Sequence, residues 1–589
     1  MGLKIPGWAT TVRVRVPPPA LRFVFSFFTM SKASTDESLT FLERALALLL
    51  LAAVLALRVC YAAHFRIDSD EPQHLHVVWA WTRGLLPYRD VFDNHMPLFQ
   101  MLCAPLFRAL GVRADIVVPM RMAMIPIFAA TIWCVWKIAA GLFSARTACW
   151  TAVLAALCPP FFFTSVEFRP DQLWTLCWLA SLAVLLGGRF SRRRSFFAGV
   201  LLGAAFCVSM KSTLMLISLA LAGAGAFFVW KREADRRDCG ELWRCIAAFV
   251  VGMLILPVLV VLACTAVGAG LQMRYCVLQH NVLPSSKGPV SLKALIKWLV
   301  SLALLGGAAA AICRSDFSVR NRWRIVLIVI APFAFLATLL CFWPILTAED
   351  YLPFFPLAAV AVVPLLLGLA SRLHLPSRIA PAVAASACIA WIVGTVSPLD
   401  DQTVDKIGMV ADTLKLTNET DFVMDAKGDT IYRRRPWPYV LETMTSHRIH
   451  HGLIADNIAA RLVETQTPLA MVRRMPEAAR EFIRANYVPI AFRLVALGKT
   501  LRDGSYPFPP DIEFEIAVPA RYTLVCATEP FAGTLNGEPF TEPRVLAAGR
   551  YTLHQTAGSG ALALIWAQAI ERGYSPFTTL KKDRTTAQD

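Results

Sequence analysis

Long apolar segments alternate with short polar loops over the first two thirds of the chain. An α-helix needs about 20 apolar residues to cross a bilayer, and about eleven segments approach that length. They are 41–63, 116–138, 146–166, 171–188, 195–210, 212–230, 244–266, 293–313, 325–346, 352–370 and 379–397. The pattern therefore predicts a polytopic α-helical membrane protein. The two predicted spans 195–210 and 212–230 are short for membrane crossings.

The composition agrees with this pattern and excludes several classes of protein. Of 589 residues, 56% are hydrophobic and 17% are charged, and the mean hydropathy is +0.53. Soluble proteins have about a quarter of their residues charged, so a purely soluble enzyme, a disordered chain and a disulfide scaffold are excluded. The 15 cysteines lie singly and mostly in apolar stretches, and we interpret them as buried thiols.

The charge is distributed unevenly along the chain. The net charge is +17, but residues 398–589 carry 22 Lys and Arg against 23 Asp and Glu. The positive excess therefore lies in the hydrophobic part, in alternate loops such as 189–194 and 231–244. Loops rich in Lys and Arg stay in the cytoplasm, so this excess indicates membrane orientation and no nucleic-acid partner. We expect an integral protein of a bacterial inner membrane, with a cytoplasmic N-terminus and an outer C-terminal region.

The changes in composition predict four regions. Residues 1–40 form a cytoplasmic extension, in which Met30 is an alternative start, and residues 41–397 form the membrane domain. Residues 398–510 have segments with helical spacing, and we interpret them as a mixed α/β segment. Residues 511–589 contain short strand patterns and an Asn-Gly turn signal, which predict a small β-sandwich and tail.

The first outer loop, residues 64–115, is too long for a passive connector and is rich in ionisable side chains. Within 28 positions it carries Asp68, Asp70, Glu71, His74, His76, Asp90, Asp93 and His95. Pro72 indicates that a helix begins near Glu71, and Trp79 and Trp81 suit a helix lying in the membrane interface. On such a helix Asp70 and His74 share one face.

Carboxylates at a lipid–water boundary are candidate general bases. Reduced solvation raises the pKa of a carboxyl group toward neutrality, where proton transfer is efficient. Asp70 and Glu71 are therefore the predicted catalytic residues, and His74, Asp93 and His95 are expected to bind substrate. Two alternatives stay open. Asp70 would merely cap the helix, or His74, His76, Asp93 and His95 would hold a metal, although their spacing is weak support for a metal site.

Basic residues on the outer side are the second candidate chemistry. Arg121 lies within a predicted span, where an ionisable residue is costly and by default functional. Arg169, Lys211 and Arg274 lie at outer ends of spans, against the orientation bias. Guanidinium groups pair with phosphate in a bidentate manner, so cations in these positions are suited to bind a phosphate group at the outer surface. Contact with lipid headgroups is the alternative for each of them.

Several short motifs occur at the outer ends of the predicted spans. In loop 64–115 they are Asp70-Glu71, Gly84, Pro87-Tyr88 and His95-Met96-Pro97-Leu98. Further along they are Arg121, Arg169-Pro170-Asp171, Tyr351-Leu352-Pro353 and Pro356. Together they resemble GT-C glycosyltransferases, of the protein O-mannosyltransferase and aminoarabinose transferase type (family 39). The resemblance covers roughly residues 41–370, and the C-terminal region matches no member of the family.

The resemblance implies that a sugar moves from a polyprenyl-phosphate donor to a lipid, glycan or protein acceptor on the outer face of the membrane. Asp70 matches the catalytic carboxylate of that family. We expect the lipid phosphate to be held by some of Arg121, Arg169, Lys211 and Arg274, with Asp171, His280 and Tyr351 near the substrates. A single inverting displacement is expected, without a metal or other cofactor, because cations stabilise a monophosphate leaving group.

Two other functions remain open from the sequence. A transporter or flippase of lipid-linked sugars often has internal repeats and polar groups near the bilayer midplane, whereas the span centres here are nearly free of charge. A non-enzymatic envelope assembly protein does not need the loop carboxylates. The pattern favours the glycosyltransferase and leaves the sugar and the acceptor open.

Overall fold

The computed structural model describes residues 39–188, 191–231, 236–281, 296, 299, 322–343, 345–372, 379–503 and 511–579. The predicted extension 1–40 and the predicted span 293–313 lie almost entirely outside the described residues. The remaining predictions fall mostly on described residues, which form a helical region up to Thr395 and a C-terminal domain of strands and shorter helices.

The helical region is built from apolar helices of unequal length. In chain order they are α1 Phe41–His64, α2 Asp70–Thr82, α3 Leu98–Leu110, α4 Val117–Met122, α5 Met124–Ala140, α6 Ala145–Ala156, α7 Pro159–Thr164, α8 Pro170–Leu186, α9 Arg192–Val208, α10 Ser212–Lys231, α11 Arg236–Ala266, α12 Gly270–Arg274, α13 Arg322–Phe342, α14 Phe354–Arg372 and α15 Ala380–Thr395. A π-helical turn follows at Tyr275–Gln279 and a 3₁₀ turn at Ala348–Tyr351.

Five helical segments of the described chain are long and apolar enough to cross a membrane. They are Phe41–His64, Val117–Ala140, Ser212–Lys231, Cys239–Ala266 and Arg322–Phe342. Shorter apolar helices are Leu98–Leu110, Pro170–Leu186, Phe354–Gly368 and Ala380–Thr395. The many-helix architecture is confirmed, and the number of about eleven spans stays a prediction.

The predicted span 146–166 is not one continuous helix, because the structure divides it into α6 and α7. Pro159 and Pro160 follow Cys158, and proline lacks the N–H that would continue the helix. Arg58 of α1 stabilises the end of α7. Its guanidinium donates to the Ser165 hydroxyl at 2.9 Å and to the Phe162 carbonyl at 3.3 Å, which satisfies groups that a helix end leaves unpaired.

Helix α2 begins at Asp70, next to the predicted start, and protein covers it; its predicted place in the membrane interface stays a prediction. Every residue from Glu71 to Ala80 is buried, including Trp79. The His76 ring nitrogen Nδ1 lies 2.7 Å from the carbonyl oxygen of Ile431 in the C-terminal domain. The helix therefore lies inside the protein, between the helical region and the C-terminal domain.

The C-terminal domain combines short helices with two sheets. Its helices are α16 Val404–Leu416, α17 Thr443–His450, α18 Ile458–Glu464, α19 Glu477–Asn486, α20 Ala567–Glu571 and α21 Pro576–Thr579. Its strands are β1 Val423–Met424, β2 Leu469–Ala470, β3 Tyr487–Ala491, β4 Leu494–Arg502, β5 Asp511–Ile516, β6 Ala520–Cys526, β7 Ala532–Leu535, β8 Glu538–Pro539, β9 Arg544–Leu546, β10 Gly549–Ala557 and β11 Leu562–Trp566.

The two sheets share one apolar core across the predicted boundary at residue 510. One sheet has seven strands. Six of them follow the order β1-β2-β4-β11-β6-β9, and the seventh, β3, also pairs with β4. The strands β1 and β2 of this sheet are parallel. The other sheet has the order β5-β10-β7-β8. The Asn-Gly turn predicted from the sequence, Asn536-Gly537, joins β7 to β8, and both residues have positive φ, as a tight hairpin requires. The predicted α/β segment and β-sandwich therefore meet in a common sheet.

The C-terminal domain packs directly on loop 64–115. The Tyr432 hydroxyl donates to the Arg113 carbonyl at 2.9 Å and accepts from the Arg113 N–H at 3.2 Å. Lys406 donates to the Ile67 carbonyl at 2.8 Å. These contacts place side chains of the domain beside the N-terminus of α2.

Candidate functional site

A cavity of about 630 Å³ lies where loop 64–115, the helical region and the C-terminal domain meet. Charged groups dominate one part of its wall, and these are Asp70, Arg169, Asp171, Lys211, Glu349, Asp350 and Lys427. Amides and hydroxyls with one carboxylate line another part, and these are Asn94, Asn281, Glu442, Thr443 and Ser446. Apolar side chains, among them Trp343, Met96 and Leu441, complete the wall.

Asp70 lies at the start of α2. Among the predicted carboxylates in the charged part of the wall, its side chain is the most exposed. Its side chain is 24% exposed. Arg169 donates to Oδ2 at 2.9 Å, and the Lys427 ammonium group contacts Oδ1. Burial raises the pKa of Asp70, but the charges of Arg169 and Lys427 outweigh burial and hold that pKa well below its usual value. The predicted shift toward neutrality is therefore wrong, because the two cations lie closer than the sequence indicated.

Arg169 lies at the N-terminus of α8 and connects several carboxylates. Besides Asp70, it donates to Asp68 at 3.1 Å and to Glu349 at 2.5 Å. Two further carboxylates, those of Asp171 and Glu167, lie 3.6 Å from it. The guanidinium is surrounded by more negative charge than it carries. Its two terminal nitrogens donate to carboxylates, whereas its Nε makes no hydrogen bond among the described residues.

Lys211 lies between α9 and α10 and points into the same cavity. Its ammonium group is 3.3 Å from Asp171 and also pairs with Asp350. Asp350 has a second role, because its Oδ2 accepts from the backbone and hydroxyl of Thr347 at 2.8 and 2.9 Å. The Trp343 ring lies 5.8 Å from the Lys211 nitrogen. This end of the cavity therefore combines an aromatic face with a buried ion pair.

His95 lines the cavity and is oriented by Asp93. The Asp93 carboxylate lies 3.0 Å from the ring nitrogen Nδ1 of His95 and accepts its backbone N–H at 3.0 Å. Burial lowers the pKa of His95, and the hydrogen bond and charge of Asp93 outweigh burial, so the pKa lies above its usual value. His74 is fully buried behind His95, with ring centroids 4.7 Å apart, and burial holds its pKa well below the usual value.

Glu71 and Arg121 form a closed ion pair away from the cavity. Arg121 donates to both oxygens of Glu71, at 2.7 and 2.6 Å, and both side chains are 0% exposed. The other guanidinium donors bind the carbonyls of Phe65 and Arg66 at 2.7 Å each. The structure therefore does not bring the predicted catalytic Glu71 or the predicted phosphate ligand Arg121 to the cavity.

Three other predicted substrate ligands also lie outside the cavity wall. Arg274 is exposed on α12, and Tyr351 packs partly buried against the apolar core. His280 is fully buried beneath the C-terminal domain, with Nε2 3.2 Å from the Thr445 hydroxyl. The alternative metal site does not assemble among the described residues, because His76 points to Ile431.

Five predicted residues therefore line one cavity, namely Asp70, His95, Arg169, Asp171 and Lys211. His74 and Asp93 stand behind His95.

The sequence missed two cations of the C-terminal domain, Lys427 and Arg474. Arg474 lines the cavity with a φ of +65°, which is uncommon for a residue other than glycine. Among the described residues it makes no ion pair, in contrast to Arg169 and Lys211. No motif marks either residue. Both reach the cavity because the C-terminal domain packs on loop 64–115. Glu349-Asp350 had a signal, since charged residues precede Tyr351 at an outer span end.

Residues 95–261 match a family model described as dolichyl-phosphate-mannose-protein mannosyltransferase. A comparison with curated protein sequences gave no match. The matched segment contains His95, Arg169, Asp171 and Lys211 of the cavity wall, whereas Asp70 precedes it.

The chain is also similar in fold to several solved structures. The structure of ArnT from Cupriavidus metallidurans bound to undecaprenyl phosphate has 16% identity and a TM-score of 0.53, covering 76% of this chain and 97% of that one. Its apo state has 16% identity and a TM-score of 0.52 with the same coverage. The apo oligosaccharyltransferase of Archaeoglobus fulgidus has 11% identity and a TM-score of 0.46, covering 76% and 73%.

The chain has the ArnT-like GT-C fold, and the resemblance predicted from short motifs is confirmed in the fold and in the family model. No sequence motif connected the C-terminal region to the family. In the structure this region forms the two sheets described above.

Proposed function

We propose that this protein is an integral membrane glycosyltransferase that moves a sugar from a polyprenyl-phosphate donor to an acceptor. The observation that carries the proposal is the cavity in which a carboxylate, Asp70, lies among cations that face the same space. A GT-C fold around that cavity and the mannosyltransferase model over 95–261 support it. The undecaprenyl phosphate in the similar ArnT structure supports a lipid phosphate as the donor's carrier.

The donor phosphate needs cations that are free to bind it. Arg474 has no ion pair among the described residues, so it gains most from an incoming phosphate. Lys211 and Arg169 are held by carboxylates and contribute charge to the same space. Trp343, together with Met96, offers an apolar surface for a sugar face or the first isoprene unit.

Asp70 acts in this proposal as the general base. The acceptor hydroxyl gives its proton to the carboxylate while its oxygen attacks the anomeric carbon, and the carbon–oxygen bond to the phosphate breaks with its electrons on the leaving lipid phosphate. This single displacement inverts the anomeric centre. Because the cations keep Asp70 ionised, the carboxylate is ready to accept a proton but is a weak base.

The part of the wall formed by amides, hydroxyls and the Glu442 carboxylate is suited to hydroxyl groups. Asn94 donates to Glu442 at 3.1 Å and Asn281 donates to the Asn94 carbonyl at 2.8 Å. Amides and carboxylates in such a network bind hydroxyls of sugars or acceptors with defined geometry. We assign this part to the sugar or the acceptor, which reaches it from the side of the C-terminal domain.

The proposal includes the orientation expected from loop charge. Basic residues in alternate loops support a cytoplasmic N-terminus, so that the cavity and the C-terminal domain face outward from a bacterial inner membrane. Reporter fusions at residues 192 and 400 are expected to lie on opposite sides, and the same side for both contradicts this orientation.

The direct test supplies polyprenyl-phosphate sugars to the purified protein in nanodiscs and measures the released lipid phosphate and the glycosylated product. Arg474→Ala is expected to weaken donor affinity about 10–150-fold, the value of a hydrogen bond to a charged group. Its matched control is Arg473→Ala, which removes the neighbouring exposed arginine that does not line the cavity. Movement of lipid-linked sugar across the bilayer without product would instead show a flippase.

A further inference from the structure

Lys427 belongs to the C-terminal domain, but its ammonium group lies against Asp70 of loop 64–115. Its nitrogen contacts Oδ1 of Asp70, while Arg169 of the helical region donates to Oδ2 at 2.9 Å. The Lys427 side chain is 10% exposed. A mostly buried ammonium group is costly unless it is paired. The contact therefore couples the C-terminal domain to the carboxylate that we assign as the base.

The segment that carries Lys427 is held in place by its own hydrogen bonds. Asp425 accepts from the Gly428 N–H at 2.6 Å and from the Thr430 N–H and hydroxyl at 2.9 and 2.7 Å. Gly428 has a φ of +85°, and a Cβ at this position would lie 2.7 Å from the Cβ of His76 in α2. The turn therefore requires glycine and fixes the approach of Lys427 to the start of α2.

We propose that Lys427 is a positioning residue for the Asp70 carboxylate, so that the C-terminal domain completes the active site in addition to any acceptor it binds. The proposal rests on the proposed function, in which Asp70 is the base. Arg169 of the helical region contacts one oxygen of Asp70, and Lys427 of the C-terminal domain contacts the other. The two cations together fix the plane of the carboxylate. Oδ1 also accepts from the Ser69 hydroxyl at 3.3 Å, whereas Oδ2 keeps a second lone pair, and Asp70 stays open to the cavity.

The charges around Asp70 make this role measurable. The charged and titratable groups beside it are Asp68, His74, His95, Arg169, Glu349 and Lys427. Burial raises the pKa of Asp70, Arg169 lowers it most, and Lys427 follows. Removing Lys427 therefore raises that pKa. Because a base works when deprotonated, the acid limb of the pH–rate profile moves to higher pH.

The experiment compares Lys427→Met with Lys427→Arg and with a matched control, Lys406→Met. Lys406 also reaches from the C-terminal domain to loop 64–115, but it donates to the Ile67 carbonyl and not to a carboxylate. Lys427→Met is expected to lower kcat about 10-fold or more and to move the acid limb upward in pH. Lys427→Arg keeps the limb near its original place, and Lys406→Met leaves the profile unchanged. A Lys427→Met variant with the profile and kcat of the Lys406→Met control overturns the proposal.

A second measurement needs no donor and separates this proposal from the function itself. Thermal unfolding of Asp70→Asn, Lys427→Met and the double variant forms a double-mutant cycle. The two losses of Tm are expected to be less than additive, because each single variant already breaks the same contact. Additive losses contradict the role of Lys427. A wild-type protein that transfers no sugar from lipid phosphates contradicts the proposed function.

Discussion

Asp70 and Glu71 are adjacent in the sequence and both pair with an arginine, yet the two carboxylates have different surroundings. Glu71 is 0% exposed and accepts four hydrogen bonds, two from Arg121 and one each from the N–H groups of Asp68 and Phe168. Asp70 is 24% exposed and faces the cavity.

The difference follows from helix geometry. Successive residues on an α-helix point about 100° apart, so at the start of α2 one carboxylate enters the protein interior while its neighbour reaches the cavity. A carboxylate whose lone pairs are all occupied holds the loop to α4 and to the segment that precedes α8. A carboxylate with accessible lone pairs is able to do chemistry. An Asp-Glu pair thus contains one structural acid and one acid that is open to substrate.

The largest expected effect is on turnover in Asp70→Asn. If Asp70 is the base, the amide cannot accept the proton, and the transfer rate falls about 10²–10⁴-fold while the fold and donor binding are kept. The matched control is Asp115→Asn in the same loop, where the exposed carboxylate pairs with Arg113 outside the cavity. Equal rates in the two variants would remove Asp70 from the mechanism.

Glu71→Ala should affect stability instead. It leaves the Arg121 guanidinium buried without its partner, and breaking a buried ion pair costs about 3–5 kcal/mol. We expect poor yield or a strong loss of Tm in detergent. The additional loss on changing Arg121 to Met in the same chain is expected to be small, because the pair is already broken. A stable Glu71→Ala protein that has lost turnover would reverse the two roles.

Arg→Lys variants at the partners of Glu71 and Asp70 test the same difference between the two carboxylates, with smaller expected effects. Lysine keeps the charge but loses the planar fork that binds a carboxylate in a bidentate manner. Arg121→Lys is expected to lower the free energy of unfolding by about 1.5–3 kcal/mol. In Arg169→Lys the rate should fall more than the stability does, since Arg169 contacts Asp70. Melting curves and initial rates on the same preparations distinguish these patterns.

The smallest expected effect concerns the pH dependence of stability at His95. Because the folded protein raises the pKa of His95, its pair with Asp93 stabilises the fold at low pH, and this stabilisation is lost as pH rises through that pKa. Asp93→Asn should flatten the corresponding slope of Tm between about pH 5 and pH 8. Asp90→Asn, in the same loop but paired with Arg89, is the control. An unchanged slope in Asp93→Asn would argue against the pair.

The C-terminal domain shows most clearly where sequence reasoning ends. Helical spacing within residues 398–510 predicted helices there, and the structure has one at Val404–Leu416. The Asn536-Gly537 turn was equally local and is found between β7 and β8. The pairing of β4 with β11 across the boundary at 510 is a contact between residues far apart in sequence, and no local pattern indicated it.

The sequence by itself determined the many-helix architecture, the first residue of α2 within a position or so, and the placement of reactive side chains in loop 64–115. These features depend on the period and composition of neighbouring residues, which the chain carries locally. Asp70, His95, Arg169 and Lys211 were found in this way, whereas Asp171 was predicted from the family resemblance.

Only the tertiary structure decided which charges meet. Arg121 was expected to bind phosphate because it lies in an apolar segment, but its partner Glu71 is 50 residues away, and the pair is closed in the interior. Lys427 approaches Asp70 across 357 residues. Electrostatic interactions depend on distances of a few ångström and on burial, and both quantities arise from packing between elements that are remote in the sequence.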